Sequence, residues 1–317
     1  MENALQSLVS SIDSYTLQIL MNIGIAIILA LGLNLITGVT GQLSLGHAAF
    51  ISIGAFTGGI ITTKYNLPFS VSLLIAGIMA STIGAVVGLP IFRLSGDYLA
   101  IATLGFAEIL KVIFLNLEIT NKALGLSVLP PNTHIPLALW VVAICTFAIV
   151  AMYLLENSRF GRALRAIRED EIAADAMGIN TTRYKVQAFA IGTFYAGVGG
   201  ALLAHVLTFI SPVDFDFDYS VSVLSMVVLG GLGSIPGAIL GASILTISPE
   251  VLRFMQDYRM LVYGALLVFL MVFRPNGLLG GINFTRLVLR TLGIRKPGAK
   301  TSAKPTSSPL KSDSIDY

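Results

Sequence analysis

The sequence predicts an all-α, polytopic transmembrane helix bundle, and three observations carry that prediction. Of 317 residues, 55% are hydrophobic and only 12% charged, against roughly 25% charged in an average soluble domain. The 20 Lys+Arg and 17 Asp+Glu are too few to give a globular core of this size a polar shell. Mean hydropathy is +0.83, and 31 glycines suit helices that approach one another closely in lipid. An ordinary soluble enzyme is excluded. Cys145 is the single cysteine, which excludes intrachain disulfides and Cys-based metal clusters.

A helix crossing about 30 Å of hydrocarbon needs about 20 mostly apolar residues. Such runs lie at 17–37, 43–62, 70–92, 97–115, 135–155, 188–210 and 259–273, and two short ones, 219–230 and 235–249, flank GGLGSIPG. The expectation is about nine spans, in a range of about 8–10, because short Gly-broken segments can be re-entrant. The first 16 residues carry Glu2 and Asp13 and no Lys or Arg, so the first run reads as a retained span and not as a signal peptide.

Charge orients the bundle, since Lys and Arg in short loops stay cytoplasmic. Loop 156–187 holds Arg159, Arg162, Arg165, Arg168, Arg183 and Lys185. The stretch after 273 holds Arg274, Arg286, Arg290, Arg295, Lys296, Lys300, Lys304 and Lys311. Placing both inside puts Arg93 inside, and puts Lys64, Lys122, the acidic Asp214, Asp216 and Asp218, and the N-terminus outside. Nine spans satisfy this; eight or ten need a re-entrant hairpin. From about residue 292 the chain is rich in Ser, Pro, Lys and Thr and too poor in apolar side chains to order itself. The expected organisation is a transmembrane domain over 1–291, including loop 156–187, and a disordered basic cytoplasmic tail over 292–317, for whose charge a topology-setting role is preferred to attraction to anionic headgroups.

In the loop, RFGRALRAIREDEIAADAMGI places Arg162, Arg165 and Arg168 three residues apart, with Leu164, Ile167, Ile172, Ala173, Ala176 and Met177 at helical spacing. The pattern predicts an amphipathic helix. Gly178 and Asn180 are placed to stop it, and Thr181-Thr182 to cap the helix returning to the membrane. Pattern alone leaves two readings: a surface helix lying among headgroups, or a docking element for a cytosolic protein.

Intramembrane polar groups are the default functional candidates. Gly41, Gln42, Ser44, Gly46 and His47 interrupt the second apolar run, and Gly230, Gly231, Gly233, Ser234, Pro236 and Gly237 form a second interruption. Both contain G-x-x-S, at Gly41 to Ser44 and Gly231 to Ser234, which hints at an internally duplicated fold. Paired broken segments point to a translocation pathway or hinge; tight packing is the plain alternative for the glycines, and for His47 a packing position is preferred to a proton relay. Asp97 and Glu108 are assigned to structure or gating, with Lys111 one turn on from Glu108 and able to neutralise it. His134 and His205 lie near predicted outer ends, and no metal site is expected. No catalytic residues are expected either. No G-x-x-x-x-G-K-[ST] phosphate loop occurs, so ATP would have to be bound by another chain.

Four stretches carry a family resemblance: GLNLITGVTGQLSLGHAAFISIGA (32–55), RLSGDYLAIATLGFAEILK (93–111), NSRFGRALRAIREDEIAADAMGINTTRYK (157–185) and VVLGGLGSIPGAILGA (227–242). In this order, from about residue 17 to 285, the chain resembles the LivM type of branched-chain amino acid permease of ABC importers. The order Glu171, Ala173, Ala174, Gly178 is similar to the EAA-type coupling segment, whose helix fits a cleft on the ATPase subunit. The resemblance therefore implies that Arg162, Arg165, Arg168, Glu171, Ala173, Ala174 and Gly178 belong to an ATPase-coupling surface. The segment continues as Ile179-Asn180-Thr181-Thr182, the form seen in this family, so contact rules from other importer classes transfer poorly. The basic tail has no counterpart with an assignable role.

The resemblance implies a multi-pass protein of the bacterial inner membrane that forms half of a pore. Its implied partners are a LivH-type permease, two cytosolic ATPases that bind the ATP, a periplasmic solute-binding protein and an amino-acid substrate; nucleic acid is not among them. Permeases for urea or short amides share these motifs and are the near alternative. An ion-coupled secondary transporter would need intramembrane carboxylates, of which this chain offers essentially only Glu108. A membrane enzyme would need clustered nucleophiles or metal ligands, and none are found.

Overall fold

The computed structural model describes residues 13–92, 94, 96–129, 136–251, 264 and 277–278. They belong to the first of two units, Met1–Gly281; the second is Ile282–Tyr317. Glu2, Arg93, His134, the run 259–273 apart from Gly264, the basic residues after 273 and the tail 292–317 lie outside the described residues.

Helix α1 (Ser14–Leu33) passes into a π-helical turn, Asn34–Val39, and every residue from Gly24 to Thr40 is buried. A helix that is apolar all round is a core helix. Residues 41–46 are not helical, and α2 runs His47–Lys64. The sequence reading began this span at 43, four residues early, because Gly41 with φ +73° and Gly46 with φ −103°, ψ 21° hold the chain outside helical geometry. Helix α3 (Phe69–Ile91) begins after Pro68, whose carbonyl accepts from the Val71 and Ser72 N–H groups. Helix α4 (Asp97–Asn116) and α5 (Leu137–Asn157) follow.

Loop 156–187 folds as two short helices, α6 (Arg159–Glu169) and α7 (Glu171–Ala176), where one had been expected. Asp170 makes the break: its backbone is extended and its carboxylate accepts from the Ile172 and Ala173 N–H groups, as an N-cap does. Helix α8 (Thr181–Leu207) is capped by Asn180, whose Oδ1 accepts from the Arg183 N–H at 3.0 Å; the cap expected at Thr181-Thr182 therefore lies one residue earlier. Helices α9 (Phe217–Gly230) and α10 (Ile235–Val251) follow.

Helix α8 is the hub, with α1, α2 and α3 packed around it. The crossings depend on missing side chains. A Cβ on Gly54 of α2 would stand 2.1 Å from the Gly197 carbonyl oxygen of α8, and one on Gly32 of α1 would stand 2.7 Å from that of Gly192. Backbones can approach this closely only through small residues, the usual basis of helix association in lipid. Helix α3 turns Phe69, Leu73, Ala76, Ala80, Gly84 and Ile91 inward, and α5 buries Ala138, Val141, Cys145, Ala148 and Met152; both are stripes at three- and four-residue spacing. Their other faces, with Leu74, Ile78, Val86, Phe147 and Leu154, are exposed apolar surface.

Among the described residues five helices are long and apolar enough to cross a membrane: Tyr15–Val39, Phe69–Ile91, Asp97–Asn116, Leu137–Asn157 and Thr181–Leu207; α9 and α10 are shorter apolar helices. This is an all-α polytopic bundle. The only strands among the described residues are a two-residue antiparallel pair, β1 (Leu126–Ser127) and β2 (Phe209–Ile210).

The helix ends sort into two groups. At one end Phe92 meets Phe189 at 5.2 Å, Phe160 stacks on Tyr184 at 5.5 Å, and Gly38, Gly41 and Gly233 adjoin α6. At the other, Lys64 Nζ donates to the Ile119 carbonyl at 2.9 Å, the Thr62 hydroxyl lies 3.0 Å from His205 Nε2, and the β1–β2 pair forms.

Candidate functional site

Helix α6 is built to lie on the bundle. The Ser158 hydroxyl caps it by accepting from the Gly161 N–H at 3.3 Å, and Gly161, Leu164 and Ile167 form its buried face. The three arginines on the adjoining stripe all donate to backbone carbonyls at the ends of apolar helices. Arg162 Nη1 reaches the Asn157 carbonyl at 3.0 Å and Arg165 Nη2 that of Glu156 at 2.9 Å, satisfying acceptors that the end of α5 leaves open. Arg168 Nη1 donates to the carbonyl of Gly38 in the π-helical turn. Hydrogen bonds from charged donors are worth about 1.5–3 kcal/mol, and less where water competes, as it does at Arg162, Arg165 and Arg168, all three exposed.

Beyond the Asp170 break, Glu171 is paired with Lys185 of α8 at 2.5 Å, the lysine being only 14% exposed. Ala174 is buried and Ala173 exposed. Gly178 has φ +83°, with open space where a side chain would stand, so backbone conformation and not crowding calls for glycine. The result is a small platform tied down at both ends. Ile172 and Met177 stand out of it, each 83% exposed.

The two interruptions meet at α6. In the first, Gly41, Gln42, Ser44 and His47 follow the π-helical turn, and Gln42, Ser44 and His47 are 7%, 2% and 1% exposed. Both amide atoms of Gln42 and the Ser44 hydroxyl lack partners; the His47 ring lies toward the Leu29 carbonyl but makes no hydrogen bond of normal geometry. The backbone here is held by side chains from elsewhere: Leu45 N–H donates to Thr103 Oγ1 at 3.1 Å and Ala48 N–H to Ser220 Oγ at 3.0 Å. A Cβ on Gly46 would stand 2.2 Å from the Thr103 carbonyl oxygen.

In the second interruption Gly231 and Gly233 have φ +113° and +80°, and Ser234 Oγ accepts from the Gly237 N–H at 3.2 Å. Pro236 occupies the second position of α10, where a missing N–H costs no helical bond. The Gly233 N–H donates to Asn34 Oδ1 at 2.8 Å, so the second interruption is bonded to the π-helical turn that leads into the first. Leu278 returns to the same place, its N–H donating to the Leu229 carbonyl at 2.8 Å.

Asp97 opens α4 at an exposed position and Glu108 is exposed in its middle. The expected neutralisation of Glu108 by Lys111 does not form. The ion pairs among the described residues are Lys122–Glu118 and Lys185–Glu171, and an exposed pair one turn apart gains little over hydration. His205 is satisfied by the Ala201 carbonyl and the Thr62 hydroxyl. Among the described residues no group of three or more His, Cys, Asp or Glu is placed to hold a metal ion.

Sequence reasoning did not single out Asn34, Gly38, Thr103 and Ser220, nor the exposure of Ile172 and Met177. Asn34 was findable as an uncharged polar residue deep in an apolar run. Thr103 and Ser220 carry no local signal.

Comparison with known proteins agrees with this architecture. The family model described as branched-chain amino acid transport system / permease component matches residues 15–271. The high-affinity branched-chain amino acid transport system permease protein LivM of Escherichia coli K12 is 40% identical over 287 residues, covering 80% of this chain and 68% of that one. The LivH permease of the same organism is 35% identical over 150 residues, 47% of this chain and 48% of its own. A Methanocaldococcus jannaschii protein named as a branched-chain amino acid transport permease LivM is 26% identical over 325 residues, 85% and 94% of the two chains. No solved structure matches. The chain belongs to the family of permease components of the branched-chain amino acid transport system.

Proposed function

We propose that this chain is the membrane-embedded subunit of an ATP-driven importer of branched-chain amino acids and forms half of its translocation pore. The observation that carries the reading is the 40% identity to a LivM permease over 287 residues. Two cytosolic ATPases, which bind and hydrolyse the ATP, dock on loop 156–187. There Ile172 and Met177, each 83% exposed, supply apolar anchors, and the Glu171–Lys185 pair and Gly178 hold the platform in shape. A LivH-type chain supplies the other half of the pore; the 35% identity to a LivH permease supports a shared fold for the two halves. An external solute-binding protein delivers the amino acid.

The orientation places loop 156–187 in the cytoplasm of a bacterial cell, the N-terminus outside and the basic tail inside, with about nine spans in the inner membrane. The sorting of helix ends supports it: Lys64, Lys122 and Asp214 belong to the end opposite α6. Gly41, Gln42, Ser44, Gly46, His47, Gly231, Gly233, Ser234, Pro236 and Gly237 act as a hinge at the inner end and not as pore lining, because Gln42, Ser44 and His47 are buried within one chain. Asp97 and Glu108 keep a structural or gating role.

The test is purification from native membranes through a tag on this chain, with identification of co-purifying chains and uptake of labelled leucine by reconstituted vesicles. An ATPase pair, a second permease and ATP-dependent leucine uptake are expected. Urea or amide uptake without leucine uptake would overturn the substrate, and absence of an ATPase the class.

A further inference from the structure

We infer that Arg168 is a strut joining the coupling loop to the hinge made by the two broken segments, and that it transmits movement without attaching the ATPases. The inference rests on the reading of loop 156–187 as the ATPase dock and assigns one residue of that loop a different task.

Four observations carry it. Arg162 and Arg165 bond to carbonyls only five and nine residues away, whereas Arg168 bonds to one 130 residues away, in the π-helical turn of α1. Two glycines, Gly41 and Gly233, make room for its side chain, and a third, Gly38, lets the two segments meet. A Cβ on Gly41 would stand 3.0 Å from Arg168 Cγ, one on Gly233 would stand 2.7 Å from Arg168 Nη1, and one on Gly38 would stand 2.3 Å from the Gly233 nitrogen. The segments that Arg168 touches are also bonded to each other through Asn34 and Gly233, so a displacement of one is felt by both. Finally, Arg168 lies two residues before Asp170, where α6 ends and the exposed platform of α7 begins.

The chemistry suits a joint that must be remade in each cycle. Among the described residues no carboxylate pairs with Arg168; its acceptor is a neutral carbonyl in a π-helical turn, a local irregularity often found at functional sites. A guanidinium with five donors in a planar fork can pass between neighbouring carbonyls as the turn shifts. A carboxylate partner would hold it far more strongly. The stem of the side chain lies along Gly41, at an exposed place on the bundle.

The test uses the whole transporter, purified through this chain, reconstituted with its binding protein and supplied with labelled leucine. Leucine carried and ATP hydrolysed are measured in the same vesicles, and co-purifying ATPase is quantified. Arg168→Gln is expected to keep its ATPases and hydrolyse ATP while leucine carried per ATP falls within the about 5- to 150-fold range of a typical coupling interaction. Arg168→Lys, which retains charge and a point donor, falls by less. An unchanged ratio in Arg168→Gln overturns the strut, and so does loss of co-purifying ATPase, which would make Arg168 a docking contact. Should the Gln variant fail to accumulate, Arg168→Lys decides alone: a lowered ratio supports the strut and an unchanged one overturns it. Ile172→Asp with Met177→Asp separates the two readings, because retained ATPase in that variant strikes at the dock and leaves the Arg168 ratio interpretable.

Discussion

The two broken segments share the pattern G-x-x-S and are built in different ways. In the first, Gly41 turns the chain out of a π-helical turn and Ser44 is buried with its hydroxyl unpartnered; the helix that follows is held by Ser220, 172 residues away. In the second, Gly231 and Gly233 make a tight turn and Ser234 itself bonds to the Gly237 N–H of the next helix. One break borrows its support from other helices and the other supplies its own. What unites them is position: both lie against Arg168 and are joined through Asn34. A shared spelling at two breaks therefore does not report a shared local structure, and their common role follows from where the fold brings them.

The sharpest way to break this comparison is at the point of closest approach. Gly233→Val would put a branched side chain at φ +80°, with its Cβ 2.7 Å from Arg168 Nη1 and 3.0 Å from the Gly38 carbonyl oxygen. Gly41→Val meets only the flexible Arg168 side chain, at 3.0 Å from its Cγ, with similar backbone strain. Leucine uptake, normalised to the amount of chain in the membrane, should fall about tenfold more in the first than in the second, a difference of about 1.4 kcal/mol. Equal losses would mean that the crowding at Gly233 adds nothing to the strain the two positions share.

A second change tests the bond between the breaks. Asn34→Leu leaves the Gly233 N–H without an acceptor in a site where Asn34 is fully buried, and an unpaired buried donor costs about 1–3 kcal/mol. Asn34→Asp keeps an acceptor oxygen. Thermal unfolding of the purified complex should therefore be lowered more by Leu than by Asp. The reverse order would show that burying a charge at residue 34 outweighs the lost hydrogen bond.

The fold was legible in the sequence because the signals are local: charge scarcity, apolar runs and glycines survive without knowledge of neighbours. The breaks were legible for the same reason, since Gly and Pro punctuate a helix wherever it lies. Their meeting was not, because Arg168–Gly38 and Gly233–Asn34 are separated by 130 and 199 residues. The loop was half legible. Periodicity gave Leu164 and Ile167, which are buried, but grouped with them Ile172, Ala173, Ala176 and Met177, which the break at Asp170 leaves exposed; and an arginine on the next stripe has a stem long enough to reach back to the bundle, so a basic stripe did not say which way its charges point. Asp170 was hidden in a charged run, where a capping carboxylate and a helix-surface carboxylate look alike.

The smallest expected effect separates the two serines. Ser234→Ala removes a hydroxyl that accepts from the Gly237 N–H, and loss of such a cap costs about 0.5–2 kcal/mol; the melting temperature of the complex should fall, and uptake with it only so far as protein is lost. Ser44→Ala removes a hydroxyl that is 2% exposed and unpartnered, and deleting an unsatisfied buried group is neutral or stabilising. The melting temperature should therefore stay level or rise. If uptake falls all the same, the Ser44 hydroxyl finds its partner in another state of the transport cycle, and the first break is the one that rearranges. If both stability and uptake are unchanged, Ser44 is packing alone, and the motion of the hinge is carried by the glycine turn at 231–234.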